Sequence, residues 1–309
     1  MRPFRQWAWV ASLYQAQERT SQVTSTLLNE YVKTLTPAPY DKSTVAERHQ
    51  QMEKVLDESR MDAGLWFESG SWNHGTALTG HSDVDYMAWA SGPRPLRPST
   101  ALTTLKTDLT GSHWAITSLR VSSPSVKVGF VSAPHFEVVP AWLSHTVGED
   151  RVFLIPGPGD EWTESAPSAH LRFVSEQNDR LSKRVKPLVR LLKQWKVHSG
   201  APVSSFYLEM RTAEYAKSET VIYYHQDLMY LMRSLIRSEV RNMNDPTRLV
   251  TRINSVSSEE SRRTTLRLLK EAEKKVSEAY DIDGDSDQRY RYWDLMTQVF
   301  GPDFPYPTW

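Results

Sequence analysis

Two aspartates, Asp83 and Asp85, occupy alternate positions of the run DVDYMAWA, which otherwise has the apolar and aromatic composition of a strand. Aspartate is a poor strand residue, and two carboxylates on one face repel each other unless a positive charge lies between them. Strand side chains alternate, so at a rise of about 3.3 Å per residue the two Cβ atoms stand roughly 6.6 Å apart. Carboxylates reaching inward from there can hold two divalent ions about 3.5–4 Å apart. Such ligands suit a hard cation, Mg2+ first, with Mn2+ as a substitute. Gly70-Ser71 lies eleven residues before the pair. The glycine lets backbone N–H groups approach a phosphate closely, and the serine adds a hydroxyl donor. A phosphate cradle beside a metal pair points to chemistry on a nucleoside triphosphate. Each half is common alone, since Asp-x-Asp also occurs in surface turns and calcium loops; here the Gly and Glu of an EF-hand are missing at the required offsets.

A third acid bears on the choice. In HFEVVPAW, Glu137 interrupts an apolar strand pattern made by Phe136, Val138, Val139 and Ala141. An unpaired buried carboxylate is costly, so Glu137 requires a partner. That partner is either a Lys or Arg in a structural ion pair or the same metal pair. In the second case the three acids make the two-metal arrangement for nucleotidyl transfer, with one polarising an incoming hydroxyl.

The elements that must position these residues follow from periodicity. Residues 5–35 read as a helix, with Val23, Leu27, Leu28, Tyr31 and Leu35 at three- and four-residue spacing, stopped by Thr36-Pro37-Ala38-Pro39. Thr44 and Glu47 have capping-box spacing and predict a second helix through about Leu56. From Leu65 to Ala90 and from Ser125 to Leu143 the period becomes two, with Val126, Val128 and Phe130 set against Lys127 and Gly129. Turns are predicted at 91–100 and 122–125, and a Gly/Pro-rich connection at 144–170 marks a domain boundary. Beyond it the pattern is helical. Pro187 opens a helix with Leu188, Leu191, Leu192 and Trp195 on one face, Ser204-Ser205 opens another, and Ser257 with Glu260 caps a third.

Composition bounds the class. The 309 residues contain 37 Lys and Arg against 37 Asp and Glu, so any preference for a polyanion must be local. Cysteine is absent, which removes disulfides and thiolate metal sites and fits a cytoplasmic location. No zinc site is expected. No apolar run reaches the ~18 residues of a membrane span, and WAWVASLY near the start reads as a packed element rather than a signal peptide. One local patch exists: between Arg172 and His198 there are eight Lys and Arg against Glu176 and Asp179. A solvated helix face accounts for most of them. His74 and His81 flank the Gly-Ser turn and read as surface residues, and the eleven tryptophans as core and interface residues.

Gly70-Ser71, eleven residues, Asp83-Val84-Asp85, and then Glu137-Val-Val-Pro-Ala together resemble the DNA polymerase β-like nucleotidyltransferase superfamily. Within it the chain is similar to the CD-NTases, bacterial relatives of cyclic GMP–AMP synthase and 2′-5′ oligoadenylate synthetase. KPLVRLLKQWK, VSSFYLEMRTAEYA, DPTRLVTRINS and WDLMTQVFGPDFP extend the resemblance over most of residues 60–304. It implies an α+β fold: a mixed-sheet catalytic core (59–165) and a C-terminal helical domain (166–309), with N-terminal helices (1–58) packed along both lobes and the active site in the cleft. It implies that Asp83, Asp85 and Glu137 bind two Mg2+ ions, that Gly70 and Ser71 form the donor-phosphate turn, that Lys193 and Ser205 contact the donor phosphates, and that Phe206 stacks on the base. An N-cap would equally explain Ser205, and core packing Phe206. Glu137 departs from the commoner Asp and is a methylene longer.

The activity implied is synthesis of cyclic or short linear oligonucleotide second messengers from nucleoside triphosphates, ATP or GTP among them, in anti-phage (CBASS-type) signalling. The product would act on a separately encoded effector, and the enzyme would be a monomer without an evident nucleic-acid activator. Two rivals stand beside it. One is a superfamily transferase acting on a tRNA or protein acceptor, which would call for a longer basic groove. The other is a catalytically silent nucleotide or RNA sensor, which would have no use for three mutually repelling acids.

Overall fold

The computed structural model describes residues 27–38 and 42–309; the part of the predicted first helix before residue 27 lies outside them. Residues 27–34 are helical (α1), and α2 spans Lys42–Asp57. Because α2 already begins at Lys42, Thr44 lies inside its first turn rather than ahead of it.

Asp85 and Glu137 sit on a mixed sheet of seven strands, with Asp83 immediately before one of them. Its main path runs β1 (Leu65–Ser69), β2 (Val84–Trp89), β5 (Phe136–Val147), β4 (Ser125–Phe130), β3 (Ile116–Ser122). Strands β2 and β5 are parallel and every other pair is antiparallel. The long β5 leaves the main path beyond Ala141, where its second half pairs with β6 (Asp150–Pro156), which in turn pairs with β7 (Trp162–Ser165). The segment 144–170, expected as a connection, thus contains two strands. Strict alternation explains the layering. Val84, Tyr86 and Ala88 of β2, Phe136 and Val138 of β5, and Val126, Val128 and Phe130 of β4 point to one face. There they pack on Val45, Met52 and Leu56 of α2 and on Ala101, Leu102 and Leu105 of α4 (Pro98–Asp108). The residues between them, Asp85, Glu137 and Lys127, are left for the opposite face.

The expected strand from Leu65 to Ala90 is two strands. The break between them is a short helix, α3 (Gly70–Asn73), and a loop at 74–83. Asp83 is the last residue of that loop, and pairing of β2 begins at Val84, whose N–H donates to the His135 carbonyl.

The second lobe is helical: α5 (Pro167–Arg180), α6 (Val185–Ser199), α7 (Ser205–Ala216), α8 (Tyr224–Arg237), α9 (Glu259–Asp281) and α10 (Arg289–Phe300). A two-stranded ribbon, β8 (Met243–Asn244) with β9 (Arg252–Ile253), is inserted before α9. Three starts differ slightly from expectation. Helix α6 begins at Val185, two residues before Pro187; Ser204 rather than Ser205 caps α7, accepting from the Tyr207 N–H at 3.2 Å; and Ser258 rather than Ser257 caps α9. The apolar face of α1 (Leu27, Leu28, Tyr31) belongs to this lobe's core, with Leu188, Trp195 and Phe300. Among the described residues no helix is long and apolar enough to cross a membrane.

Candidate active site

The site is built at the edge where β1 and β2 meet the helical lobe. Strand register places Ser69 opposite Asp85, Asp85 opposite Glu137, and Glu137 opposite Lys127, one row across β1, β2, β5 and β4. Gly70 then turns the chain with φ +61°, and a Cβ there would lie 2.0 Å from Asp85 Oδ2. Only glycine meets both demands. The Ser71 N–H donates to the same oxygen at 3.2 Å. The Gly-Ser turn therefore grips the second aspartate directly.

A cleft of about 780 Å3 opens over this row. Its walls include Gly70, Ser71, Asp83, Asp85 and Glu137 from the sheet lobe and Lys193, Ser205 and Phe206 from the helical lobe, so the fold brings all eight sequence-derived candidates together. None of the tryptophans among the described residues lines it.

The acids are electrostatically unbalanced. Burial and the neighbouring Glu137 push the Asp85 carboxyl up to about 7, the Ser71 N–H and Lys193 offsetting only part. Burial and Glu137 also raise Asp83. This is a set of hard oxygen donors short of positive charge, which fits a divalent cation in chemistry. In arrangement it is incomplete: among the described residues no three acids or histidines are grouped to hold an ion as they stand. The reason is Glu137. Its Oε1 accepts from Lys127 Nζ at 2.5 Å and its Oε2 from Ser125 Oγ at 3.0 Å, turning it toward β4. One of the two partners open to Glu137 from the sequence, a lysine, is thus in contact with it.

Across the cleft, the structure separates two lysines on α6. Lys193 is only 5 % exposed. Its Nζ donates to Thr76 Oγ1 at 2.9 Å and Glu209 Oε2 at 2.8 Å, which commits it to a buried pair. Burial alone would raise Glu209, but the Lys193 ammonium and the His74 ring hold it well below the usual carboxylate range. His74, expected at the surface, is in fact buried against Glu209 Oε1; His81 is exposed as expected. Lys196, one turn on, lines the cleft and donates to Ser205 Oγ at 2.6 Å. Burial, then Lys193 and Lys127, lower its pKa. Periodicity could not separate the two lysines, because which of them meets Glu209 depends on a contact sixteen residues away.

Since Ser204 takes the capping role, the Ser205 hydroxyl is released to the cleft. Ser204 is itself braced by its N–H donating to the Ser255 carbonyl at 2.7 Å. Phe206 is 38 % exposed, an unusual position for a phenylalanine whose neighbours in α7 are buried. One ring edge rests on His170, centroids 5.1 Å apart. His170 Nε2 lies 3.1 Å from Asp245 Oδ1, and Asp245 accepts from the N–H groups of Leu249 and Val250 and from the Thr247 hydroxyl. The segment DPTRLV is thus a loop organised by one aspartate, whose far side holds the ring beneath Phe206.

A mixed sheet that sets Asp85 and Glu137 side by side on neighbouring strands, with Asp83 in the loop just before the first of them and a serine-headed helix across the cleft, has the layout of a polymerase β-like nucleotidyltransferase. The family model of the Second Messenger Oligonucleotide or Dinucleotide Synthetase (SMODS) domain matches residues 22–178, and the chain belongs to that family. It is a CD-NTase, an enzyme that makes cyclic oligonucleotide second messengers, and CD-NTases in general are metal-dependent. Solved structures share the fold. CdnC of Escherichia coli MS115-1 with ATP is 20% identical, with 85% of this chain and 92% of that one covered and a TM-score of 0.66. The CD-NTase CdnG of Bradyrhizobium diazoefficiens in complex with GTP is 13% identical over 91% and 96%, TM-score 0.71. The cyclic AMP-GMP synthase DncV of Vibrio cholerae, in complex with the linear intermediate 5′ pppA(3′,5′)pG, is 13% identical over 99% and 92%, TM-score 0.60. Among curated proteins, none matches.

Proposed function

We propose that the chain condenses nucleoside triphosphates in this cleft, with Asp83, Asp85 and Glu137 as the catalytic acids. The observation that carries the reading is the register Asp85 opposite Glu137, which delivers both acids to one face of the sheet beside Asp83. In each condensation a ribose 2′- or 3′-hydroxyl of one nucleotide attacks the α-phosphorus of the next. The new O–P bond forms as the α–β bridging bond breaks and pyrophosphate leaves. Two Mg2+ ions held by the three acids would neutralise the polyphosphate and the developing charge. Asp83 and Asp85 orient the donor, and Glu137, facing the acceptor side, draws off the hydroxyl proton. Gly70 and Ser71 hold the donor triphosphate from below, Ser205 at the head of α7 holds it from above, and Phe206 offers its exposed face to the base.

The family resemblance assigns the phosphate-binding lysine to Lys193. The buried pair with Glu209 supports giving that contact to Lys196 instead, with Lys193 supporting the loop beneath. A compact ammonium next to a helix-head serine suits a phosphate oxygen. ATP and GTP are the first substrates to test, UTP and CTP following. The biological setting that fits such a product is CBASS-type anti-phage signalling through a separately encoded effector.

The test is incubation of the purified protein with each labelled nucleoside triphosphate and mixtures of them, with Mg2+ or Mn2+, then phosphatase treatment and mass spectrometry. A phosphatase-resistant cyclic product, absent with Asp83→Asn/Asp85→Asn, is expected. Turnover retained by that variant would remove the acids from the mechanism. Lys196→Ala should weaken apparent nucleotide affinity by about tenfold, the scale of one lost charge-assisted contact, with little change in melting temperature. Unchanged affinity would return the assignment to Lys193.

A further inference from the structure

Lys127 is the one charged group in the row across β1, β2, β5 and β4 that the reaction scheme leaves without a task. It stands on β4 directly opposite Glu137, which stands on β5 directly opposite Asp85 on β2. Glu137 therefore has a choice of two neighbours, an acid on one side and an ammonium on the other, and it has turned to the ammonium. The hold is double. Lys127 Nζ donates to Oε1 at 2.5 Å, while Ser125, only 1 % exposed, donates to Oε2 at 3.0 Å. The same ammonium lies 4.0 Å from Asp83 Oδ2. One unit of positive charge is thus shared by two of the three proposed metal ligands, at the place where their combined negative charge would otherwise be unbalanced.

We infer that Lys127 is an internal counter-ion that competes with the metal for Glu137 and Asp83, so that loading of the site requires its displacement. The inference rests on the proposed metal role of the acids and goes beyond it. Lys127 offsets part of the negative charge of the acid row in its metal-free form and so lowers its affinity for a free divalent ion. A metal arriving with a triphosphate faces a smaller barrier, because the phosphate oxygens supply part of the coordination and offer the released ammonium another anion. Lys127 is a positioning residue in this scheme, acting through Glu137.

Binding of Mn2+ alone, followed by electron paramagnetic resonance of the free ion, tests this without turnover. Five proteins are compared: the unmodified chain, Lys127→Met, Lys127→Gln as a second charge-free variant, Lys127→Arg and Asp83→Asn/Asp85→Asn, with a melting curve for each. Lys127→Met and Lys127→Gln should bind Mn2+ about tenfold more tightly, because a competing charge has been removed from contact with two ligands. Lys127→Arg should remain near the unmodified chain. Affinity in the charge-free variants equal to or weaker than in the unmodified chain would overturn the inference while leaving the metal reading intact. Mn2+ binding that survives in the double aspartate variant would instead overturn the metal reading, and this inference with it.

Discussion

Asp85 is the residue on which the site turns, and its titration is predictable in sign. Its carboxyl is raised from an ordinary 3.8 to about 7, mainly by burial and then by Glu137. Folding thus disfavours the charged form, and this group's contribution to stability falls as pH rises from about 4 to about 7. In metal-free buffer at pH 8, Asp85→Asn should melt higher than the unmodified chain, and the difference should vanish near pH 4. At about 1.4 kcal/mol per unit the ceiling is a few kcal/mol. A cation that needs Asp85 ionised must expel its proton, so Mn2+ affinity should climb between pH 6 and 7 and level off above; a flat profile would detach Asp85 from the metal. Gly70→Ala acts on the same carboxylate by collision, since its Cβ would overlap Oδ2 and its φ is positive. It should cost more than about 1 kcal/mol of stability and abolish turnover. At this scale the sequence was informative: Gly70, Ser71, Asp83, Asp85 and Glu137 were all singled out by type and spacing. That the turn serves the aspartate as well as a phosphate was not, because only the close approach of Gly70 reveals it.

At the scale of elements, alternation in β2, β4 and β5 was legible because each strand has one greasy face on α2 and α4. The other face of β2, and of β5 up to Ala141, is polar only at Asp85 and Glu137 and continues into Met87, Val139 and Ala141, packed on Phe153 of β6. Helices α6, α7 and α9 were legible to within two residues from their apolar stripes and serine heads. Helix α4 was passed over as the end of a turn although Pro98, Ala101, Leu102, Leu105 and Leu109 have helical spacing. Its four threonines, better suited to strands, masked it. The hairpin β6–β7 was hidden by Pro156, Gly157, Pro158 and Gly159, which form a tight connection between two short strands rather than a linker. Helix α6 yields the clearest contrast between neighbours. Lys193→Ala should strand Glu209 in the interior and destabilise by about 3–5 kcal/mol, unlike Lys196→Ala, which leaves no buried partner alone. Equal melting temperatures for the two would contradict the buried pair.

Across the whole molecule, the two lobes meet through the loop that follows the Gly-Ser turn. Arg190 donates to the carbonyls of Gly75 and Ala77, Lys193 to Thr76, and Glu209 accepts from Thr76 while facing His74. These contacts join residues 113 to 135 positions apart, beyond the reach of local periodicity, so the clasp could not be read from the sequence. The clasp is acid-sensitive by construction. Glu209 is held below its usual 4.5 by Lys193 and His74 against the opposing effect of burial. Its stabilising contribution is present above pH 4.5 and is lost as pH falls further. Unfolding followed between pH 6 and 3 should show a smaller loss in Glu209→Gln, already lacking the charge, than in the unmodified chain; the contribution of Asp245, also held low, is lost alike in both.

The same clasp decides where this chain can be cut. The stretch 22–178 that the family model recognises stops before Arg190, Lys193 and Glu209, and before Phe300, whose carbonyl accepts from the Tyr31 hydroxyl. A fragment trimmed to that stretch would expose the apolar stripe of α1 and leave the loop at 74–77 without its anchors. It should come out of expression as aggregate, or as a monomer that binds no nucleotide, whereas a piece running through α10 should keep both properties on a sizing column and in a nucleotide-binding titration. The recognisable part of the sequence and the smallest working part of the protein are different lengths of the same chain.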